Sequence, residues 1–388
     1  MAELESVENH DVIVIGGGQA GLAAAYHLMR AGADFVVLDA SERTGDVWRQ
    51  RWDSLRLFTP AHHDGLPGMP FPAPPGSFPA KDEVAGYLSQ YVDRFSLPVR
   101  NGVRVTRLTR VGSHFEVLTS QGSIIAGAVV VATGANQLPH VPALAQSLDP
   151  HIGQLHSHAY RSPDSVPPGE VLVVGFGTSG AEIAEELALA GRTVSISGEP
   201  TFHIPDPVLK VAGELYWHFI HRVLTRRTPI GRKAAPKIVA SGAPLIRISA
   251  SRVEAAGVKR VPRVVSVTEG RPVLADGSLV NADVVVWCTG YAPDFSWIDV
   301  PGVSFDERGW PRAPYGLVEN VEGLAFVGVP FQVGLTSVLL GGVGRDAAIV
   351  VDRLVQQRTS NRGPVAERRG FRPRHGSQDS SEDRNVLR

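Results

Sequence analysis

Cysteine occurs once in this chain of 388 residues, at Cys288. A single thiol cannot close an intrachain disulfide or build a thiolate metal cluster, which suits a reducing compartment. An excess of charge is also lacking: 38 Lys and Arg stand against 39 Asp and Glu, a formal net charge of -1. No electrostatic case therefore arises for nucleic acid or an anionic membrane as principal partner. No run approaches the ~18 consecutive apolar residues needed to span a bilayer. The opening residues, MAELESVEN, carry three Glu and no apolar stretch, unlike a secretory signal peptide. The expectation is a cytoplasmic protein, long enough for two domains with separate cores.

Glycine is abundant, at 41 residues, and two clusters of it carry the chemistry. Residues 11–15 (DVIVI) read as a strand buried on both faces. GGGQAG (16–21) follows at once, then an Ala- and Leu-rich helix over 22–31, and a second strand from Phe35 to Leu38 that ends at Asp39. Strand and helix context makes the weak Gly16-x-Gly18-x-x-Gly21 pattern informative. Gly16 permits the tight turn, Gly18 lets backbone approach a pyrophosphate, and Gly21 allows close helix–strand packing. Gln19 and Ala20 open the helix, whose free N–H groups and positive dipole end suit phosphate. Asp39 is placed to accept hydrogen bonds from a ribose diol.

The pattern then recurs in register. Strand 171–174 (VLVV) leads into GFGTSG (175–180), a helix over 181–190 and a strand over 193–197; Gly16 to Gly32 spans the same distance as Gly175 to Gly191. Gly175, Gly177 and Gly180 repeat the three glycine roles, with Thr178 and Ser179 at the helix start. At the position of Asp39 the second copy has Gly198. The missing carboxylate removes repulsion toward a 2′-phosphate, so NADP is favoured over NAD. No Arg stands at that strand end; Arg226, Arg227, Arg232 and Lys233 follow downstream. Segments ending in small residues, Ala132-Thr133-Gly134 and Cys288-Thr289-Gly290, bracket the second unit and place Thr133, Gly134, Thr289 and Gly290 near cofactor. The fold expected is α/β, two Rossmann-like dinucleotide-binding domains with the second inserted in the first. The boundaries read are a flexible N-terminus over 1–9, a first domain over 10–165 and 285–357, a second over 166–284, and a disordered tail over 358–388.

Elsewhere, residues 58–79 are a Pro- and Gly-rich loop. Val84, Tyr87, Leu88, Tyr91, Val92 and Phe95 form one face of a helix over 82–95. Residues 207–225 form a helix carrying Leu209, Leu215, Trp217 and Phe219, read as packed, with a membrane-surface or channel role as the alternative. His62 and His63 are adjacent but lack Cys or carboxylate partners at ligand spacing, so they read as loop residues and no metal is expected. Cys288 reads as a buried, inert thiol.

These residues resemble the flavin-containing monooxygenases, the class B flavoprotein monooxygenases in the wider sense. The resemblance rests on GGGQAG (16–21), GDVWRQRWDSLRLFTP (45–60), ATG (132–134), HSHAY (156–160), GFGTSG (175–180), WCTGY (287–291), GLAFVG (323–328) and GGVGRDA (341–347). It implies FAD in the outer domain, NADPH in the inserted one, and dioxygen activated as a flavin hydroperoxide that oxygenates a small organic substrate. By the same resemblance Trp48, Arg49 and Arg56 run along the flavin. Of the family pattern Phe-x-Gly-x-x-x-His-x-x-x-Tyr, His156 and Tyr160 match, whereas Pro150 and Ile152 occupy the Phe and Gly positions. Tyr160 in place of the Trp of Baeyer–Villiger enzymes favours oxygenation at N or S over a carbonyl. His156 couples domain position to NADPH or, equally, is a structural histidine on a backbone carbonyl. No catalytic side chain is assigned, since the cofactors carry the chemistry. A disulfide reductase is excluded by the single cysteine. An NAD(P)H-dependent flavin dehydrogenase and a silent FAD-binding scaffold remain as alternatives, the scaffold disfavoured by the intact second turn.

Overall fold

In this computed structural model residues 8–241 and 244–361 are described. The terminal segments expected to lack structure, 1–9 and 358–388, fall outside them except at their inner ends. There the first strand already begins at Glu8 and the last helix continues to Asn361, two residues into the first segment and four into the second.

The chain begins as its glycines predict. Strand Glu8–Ile15, helix Gln19–Arg30 and strand Phe35–Leu38 follow in order, and the two strands pair in parallel with Ile15 beside Leu38. Val12 to Ile15 and Phe35 to Leu38 are all buried, each side chain contributing roughly 1.5–3 kcal/mol. A ten-residue strand, Gly122–Val131, lies on the other side of the first. Its first half pairs with the antiparallel hairpin Val105–Val111 and His114–Thr119; its last residues pair with Leu324–Phe326, which returns from the far end of the chain. Ile298–Asp299 beside Val105–Val111 and Val99–Arg100 beside Phe35–Leu38 add short edges, and the whole is an eight-stranded sheet.

A second sheet is five-stranded and wholly parallel, in the order Lys259–Val261, Val194–Ser197, Val171–Val174, Val284–Trp287, Gly153–His156. Helix Thr178–Leu189 follows its central strand. Two of these strands lie beyond the expected junctions at 166 and 284. Gly153–His156 fully buries only His156, so no apolar run marks it in the sequence, and it is recruited by Val284–Trp287, about 130 residues later.

Helix Lys81–Phe95 buries Val84, Tyr87, Leu88 and Tyr91 as predicted. Its two tyrosines also fasten the loop over residues 58–79. Tyr87 Oη donates to the Met69 carbonyl at 2.7 Å and accepts from Leu66 N–H at 2.7 Å, while Tyr91 Oη donates to the Pro67 carbonyl at 2.6 Å. The loop is thereby ordered despite its seven prolines. The helix expected over 207–225 is Asp206–His218, continued by a π-turn, Phe219–Val223. It is not simply packed: Ile220 is buried, but Val211 and Leu215 are 90% and 71% exposed. No helix among the described residues is long and apolar enough to cross a membrane.

Candidate functional site: two glycine turns on one cavity

Both turns open on a single cavity of about 2700 Å³. Gly16 has φ 109° and Gly175 φ 109°, a conformation that favours glycine. Each also abuts the end of a neighbouring strand: a Cβ would meet the Ala132 carbonyl oxygen at 2.5 Å in the first and the Cys288 oxygen at 2.3 Å in the second. The third glycines are equally tight, with a Cβ on Gly21 placed 1.8 Å from the Gly16 oxygen and one on Gly180 placed 1.9 Å from the Gly175 oxygen. At the middle glycines, Gly18 and Gly177, a Cβ would meet nothing within 4 Å. The turns are therefore braced by their outer glycines and bare at the centre. That shape suits a pyrophosphate at a helix N-terminus, twice over.

The repeat reaches further than the glycines. Ala132-Thr133-Gly134 and Cys288-Thr289-Gly290 each follow the strand next to the first strand of its own sheet, and Gly134 and Gly290 share φ near 80° (79° and 82°). From sequence these segments read as brackets around the second unit. In the structure they are corresponding parts of the two sheets, one closing each turn.

The two strand ends differ. Asp39 accepts Gly17 N–H at 3.0 Å on one carboxylate oxygen and Ser41 N–H at 2.8 Å on the other, which orients the group at the cavity. Gly198, with φ 114°, has no side chain to do this. Beside it, Ser197 Oγ donates to the Pro262 carbonyl at 3.0 Å and accepts Val264 N–H at 2.9 Å. This buried serine pins the turn that carries the exposed Arg263 into the cavity wall. The downstream cations read from sequence, Arg226, Arg227, Arg232 and Lys233, do not line the cavity; Arg226 is spent on the Phe331 carbonyl at 2.8 Å.

Of the other residues expected near cofactor, Gln19, Ala20, Trp48, Thr133, Thr178, Ser179 and Thr289 line the cavity. Arg49 does not. Its guanidinium donates to the Thr44 carbonyl at 2.8 Å and pairs with the buried Asp46 at 2.9 Å, so it braces its own short helix. Gly21 acts from behind the turn, as a packing position. Arg56 lines the wall but donates to the Phe78 carbonyl at 3.0 Å.

Arg51, missed in the sequence, takes the position facing the cavity. It donates to Tyr291 Oη at 2.6 Å, a contact across 240 residues that no local pattern announces. The Tyr291 ring stands edge-on to His156 at 5.3 Å. His156 Nδ1 accepts His158 N–H at 3.0 Å, so the other nitrogen, Nε2, carries the proton and donates to the Gly290 carbonyl at 3.1 Å. Burial holds this imidazole below its usual range, and both nitrogens are occupied. His156 is thus a structural histidine that fastens the second closing segment. Tyr160 is fully buried and donates to Glu186 at 2.8 Å; burial raises its phenol. Burial likewise pushes the Cys288 thiol up to about 12, consistent with an inert side chain.

A family model described as pyridine nucleotide-disulphide oxidoreductase matches residues 13–211. An uncharacterized CzcO-like oxidoreductase of Geobacillus kaustophilus is 37% identical over 347 residues, covering 89% of this chain and 98% of the relative. The indole-3-pyruvate monooxygenase YUCCA8 of Oryza sativa is 30% identical, covering 78% of this chain and 80% of its own. Among solved structures, a flavin-containing monooxygenase from Stenotrophomonas maltophilia superposes with TM-score 0.74 at 30% identity, covering 90% of this chain and 99% of that one. The dithiol chemistry in the family description has no counterpart here, because Cys288 has no second thiol to pair with. With its paired glycine turns on one cavity, the chain is a flavoprotein oxidoreductase belonging to the class B flavin-containing monooxygenase family.

Proposed function

We propose that the protein is an FAD- and NADPH-dependent monooxygenase that inserts one atom of dioxygen into a small organic substrate, at nitrogen or sulfur rather than at a carbonyl. The observation that carries this reading is the pair of equivalent bare-centred turns on one cavity, since two dinucleotides sharing a cavity can exchange electrons. The first turn, with Gly16, Gly18, Gln19, Ala20 and the packing glycine Gly21, would hold FAD, assisted by Asp39, Trp48, Thr133 and Gly134. The second, with Gly175, Gly177, Thr178, Ser179 and Gly180, would hold NADPH, assisted by Thr289 and Gly290. We read the two sheets as two domains, the second inserted in the first, because the chain leaves the eight-stranded sheet after Val131 and rejoins it at Ile298.

When bound, the two cofactors supply hydride transfer and dioxygen chemistry. The protein's own groups bind and orient. Asp39, its oxygens aligned by two backbone N–H groups, keeps lone pairs for a ribose diol. Arg263 offers a cation for a 2′-phosphate at the strand end where Gly198 leaves space, which supports NADPH over NADH. Arg51 and Tyr291 hold the 45–60 segment against the second closing segment. The apolar wall contributed by Phe58, Phe78, Ile204, Leu209, Ile220 and Leu224 limits water around the reacting centre. Tyr160, buried in the second core, supports heteroatom oxygenation through family resemblance alone.

The test is turnover under ¹⁸O₂ with NADPH and tertiary amine and thioether probes. Incorporation of one ¹⁸O per NADPH into product is expected. NADPH oxidation with every dioxygen recovered as hydrogen peroxide, across the probe set, replaces this reading with a flavin dehydrogenase.

A further inference from the structure

His62 and His63, read from sequence as loop residues, meet a carboxylate from far along the chain. Glu214, on helix Asp206–His218, places Oε1 2.8 Å from His62 Nε2 and 3.4 Å from His63 Nε2. One ligand atom from each residue lies within 4.8 Å of the other two, and all three residues line the cavity.

His62 Nδ1 faces the Pro75 carbonyl, which can only accept, so Nδ1 carries the proton. In a neutral ring Nε2 is then a bare acceptor, and it faces another acceptor, Glu214 Oε1, at 2.8 Å. Either a proton held between the two atoms or a metal ion resolves that contact. An ion pair with His62 alone would not need the second imidazole, yet His63 turns Nε2 to the same oxygen. Both rings are also fixed from outside. The Nδ1 bond to a backbone carbonyl is the outer contact that orients metal-ligating histidines. His63 is stacked on Trp217 at 4.5 Å and 12°. Trp217 lies almost one turn beyond Glu214, so one helix supplies both ligand and platform. The 2.8 and 3.4 Å spacings approach the ~3.4 Å edge of a tetrahedron with bonds of about 2.1 Å.

We propose that His62, His63 and Glu214 bind a divalent transition-metal ion of the Zn²⁺ class and so tie the 58–79 loop to helix Asp206–His218 at the cavity wall. Two imidazoles and one carboxylate suit Zn²⁺, Ni²⁺ or Cu²⁺ and disfavour Mg²⁺ and Ca²⁺. Three protein ligands leave a further position for water or for a molecule in the cavity.

The test is calorimetric titration of Zn²⁺ into tag-free, chelator-stripped full-length protein, with Ni²⁺ quenching of tryptophan fluorescence as a second readout. One equivalent of Zn²⁺ is expected to bind, and Ni²⁺ to quench. Glu214→Gln, His62→Gln and His63→Gln should each weaken uptake by at least about tenfold, as loss of a ligand requires. Glu214 is exposed, so its variant should melt with the wild type and report binding alone. Trp217→Phe should keep the metal and lose most of the quench. Absence of stoichiometric uptake, or uptake that survives all three ligand substitutions, overturns the site and leaves His62 and Glu214 as a hydrogen-bonded pair.

Discussion

The two glycine turns are the same object in two settings. Gly16, Gly18 and Gly21 match Gly175, Gly177 and Gly180 in conformation, in what each would strike and in the strand end that closes them. Their helices differ. Gln19–Arg30 is Ala-rich and buries Ala23, Ala24 and Ala25 completely. Thr178–Leu189 instead carries Glu182, Glu185 and Glu186, which meet Arg247 at 2.8 Å, Arg252, and Tyr160 at 2.8 Å. The turn geometry is dictated by contact distances that tolerate no Cβ, so it is identical. What surrounds each turn is free to vary, and there the two sites acquire separate identities.

The largest expected effect tests that identity. Gly21→Val and Gly180→Val force a Cβ to within 2 Å of a carbonyl oxygen in each turn. Each should cost about 3 kcal/mol or prevent folding, by equal amounts in urea melts. Tolerance of one but not the other would break the equivalence.

Next come the middle glycines. A Cβ at Gly18 or Gly177 meets no protein atom within 4 Å, so Gly18→Val and Gly177→Val should change stability by no more than ~0.5 kcal/mol. Gly18→Val should yield protein without flavin. Gly177→Val should stay yellow, with anaerobic reduction by NADPH slowed about 100-fold in a stopped-flow trace. Loss of colour in both would merge the two sites into one.

The strand ends should separate by a smaller factor. Arg263→Ala should raise KM for NADPH by about 10- to 100-fold, the worth of a charged hydrogen bond, and leave KM for NADH unchanged. An equal change for both nucleotides would remove Arg263 from the 2′-phosphate.

The smallest effect concerns the second helix. Burial raises Glu182 from 4.5 to about 7 despite the nearby Arg247. With the folded value above the unfolded one, its stabilising contribution is complete below about pH 4.5 and is lost as pH rises through 7. Glu182→Gln should therefore raise the melting temperature more at pH 8 than at pH 5, by a few degrees. An equal shift at both pH values would mean that Glu182 does not titrate in this window.

Much of this was legible in the linear sequence. The two strand–turn–helix units, the open middle glycines, Asp39 and its missing counterpart at Gly198 follow from spacing, because turn sterics act over six residues. The apolar face of helix Lys81–Phe95 follows from period alone. The features that the sequence did not announce share one cause. Strand Gly153–His156 has no strong pattern and exists because Val284–Trp287 pairs with it. Arg49 and Arg51 look alike in sequence, yet Asp46 captures the first and Tyr291 the second. His62 and His63 had no carboxylate within reach until a helix 152 residues later brought Glu214 beside them.

The sequence by itself thus determined how many glycine turns there are and how each is shaped, since those are local constraints of backbone and Cβ. Only the tertiary structure decided which arginine meets the cavity, which segments close the turns, and which distant groups share one site. Those choices depend on pairings across more than a hundred residues, and such pairings leave no period in the chain.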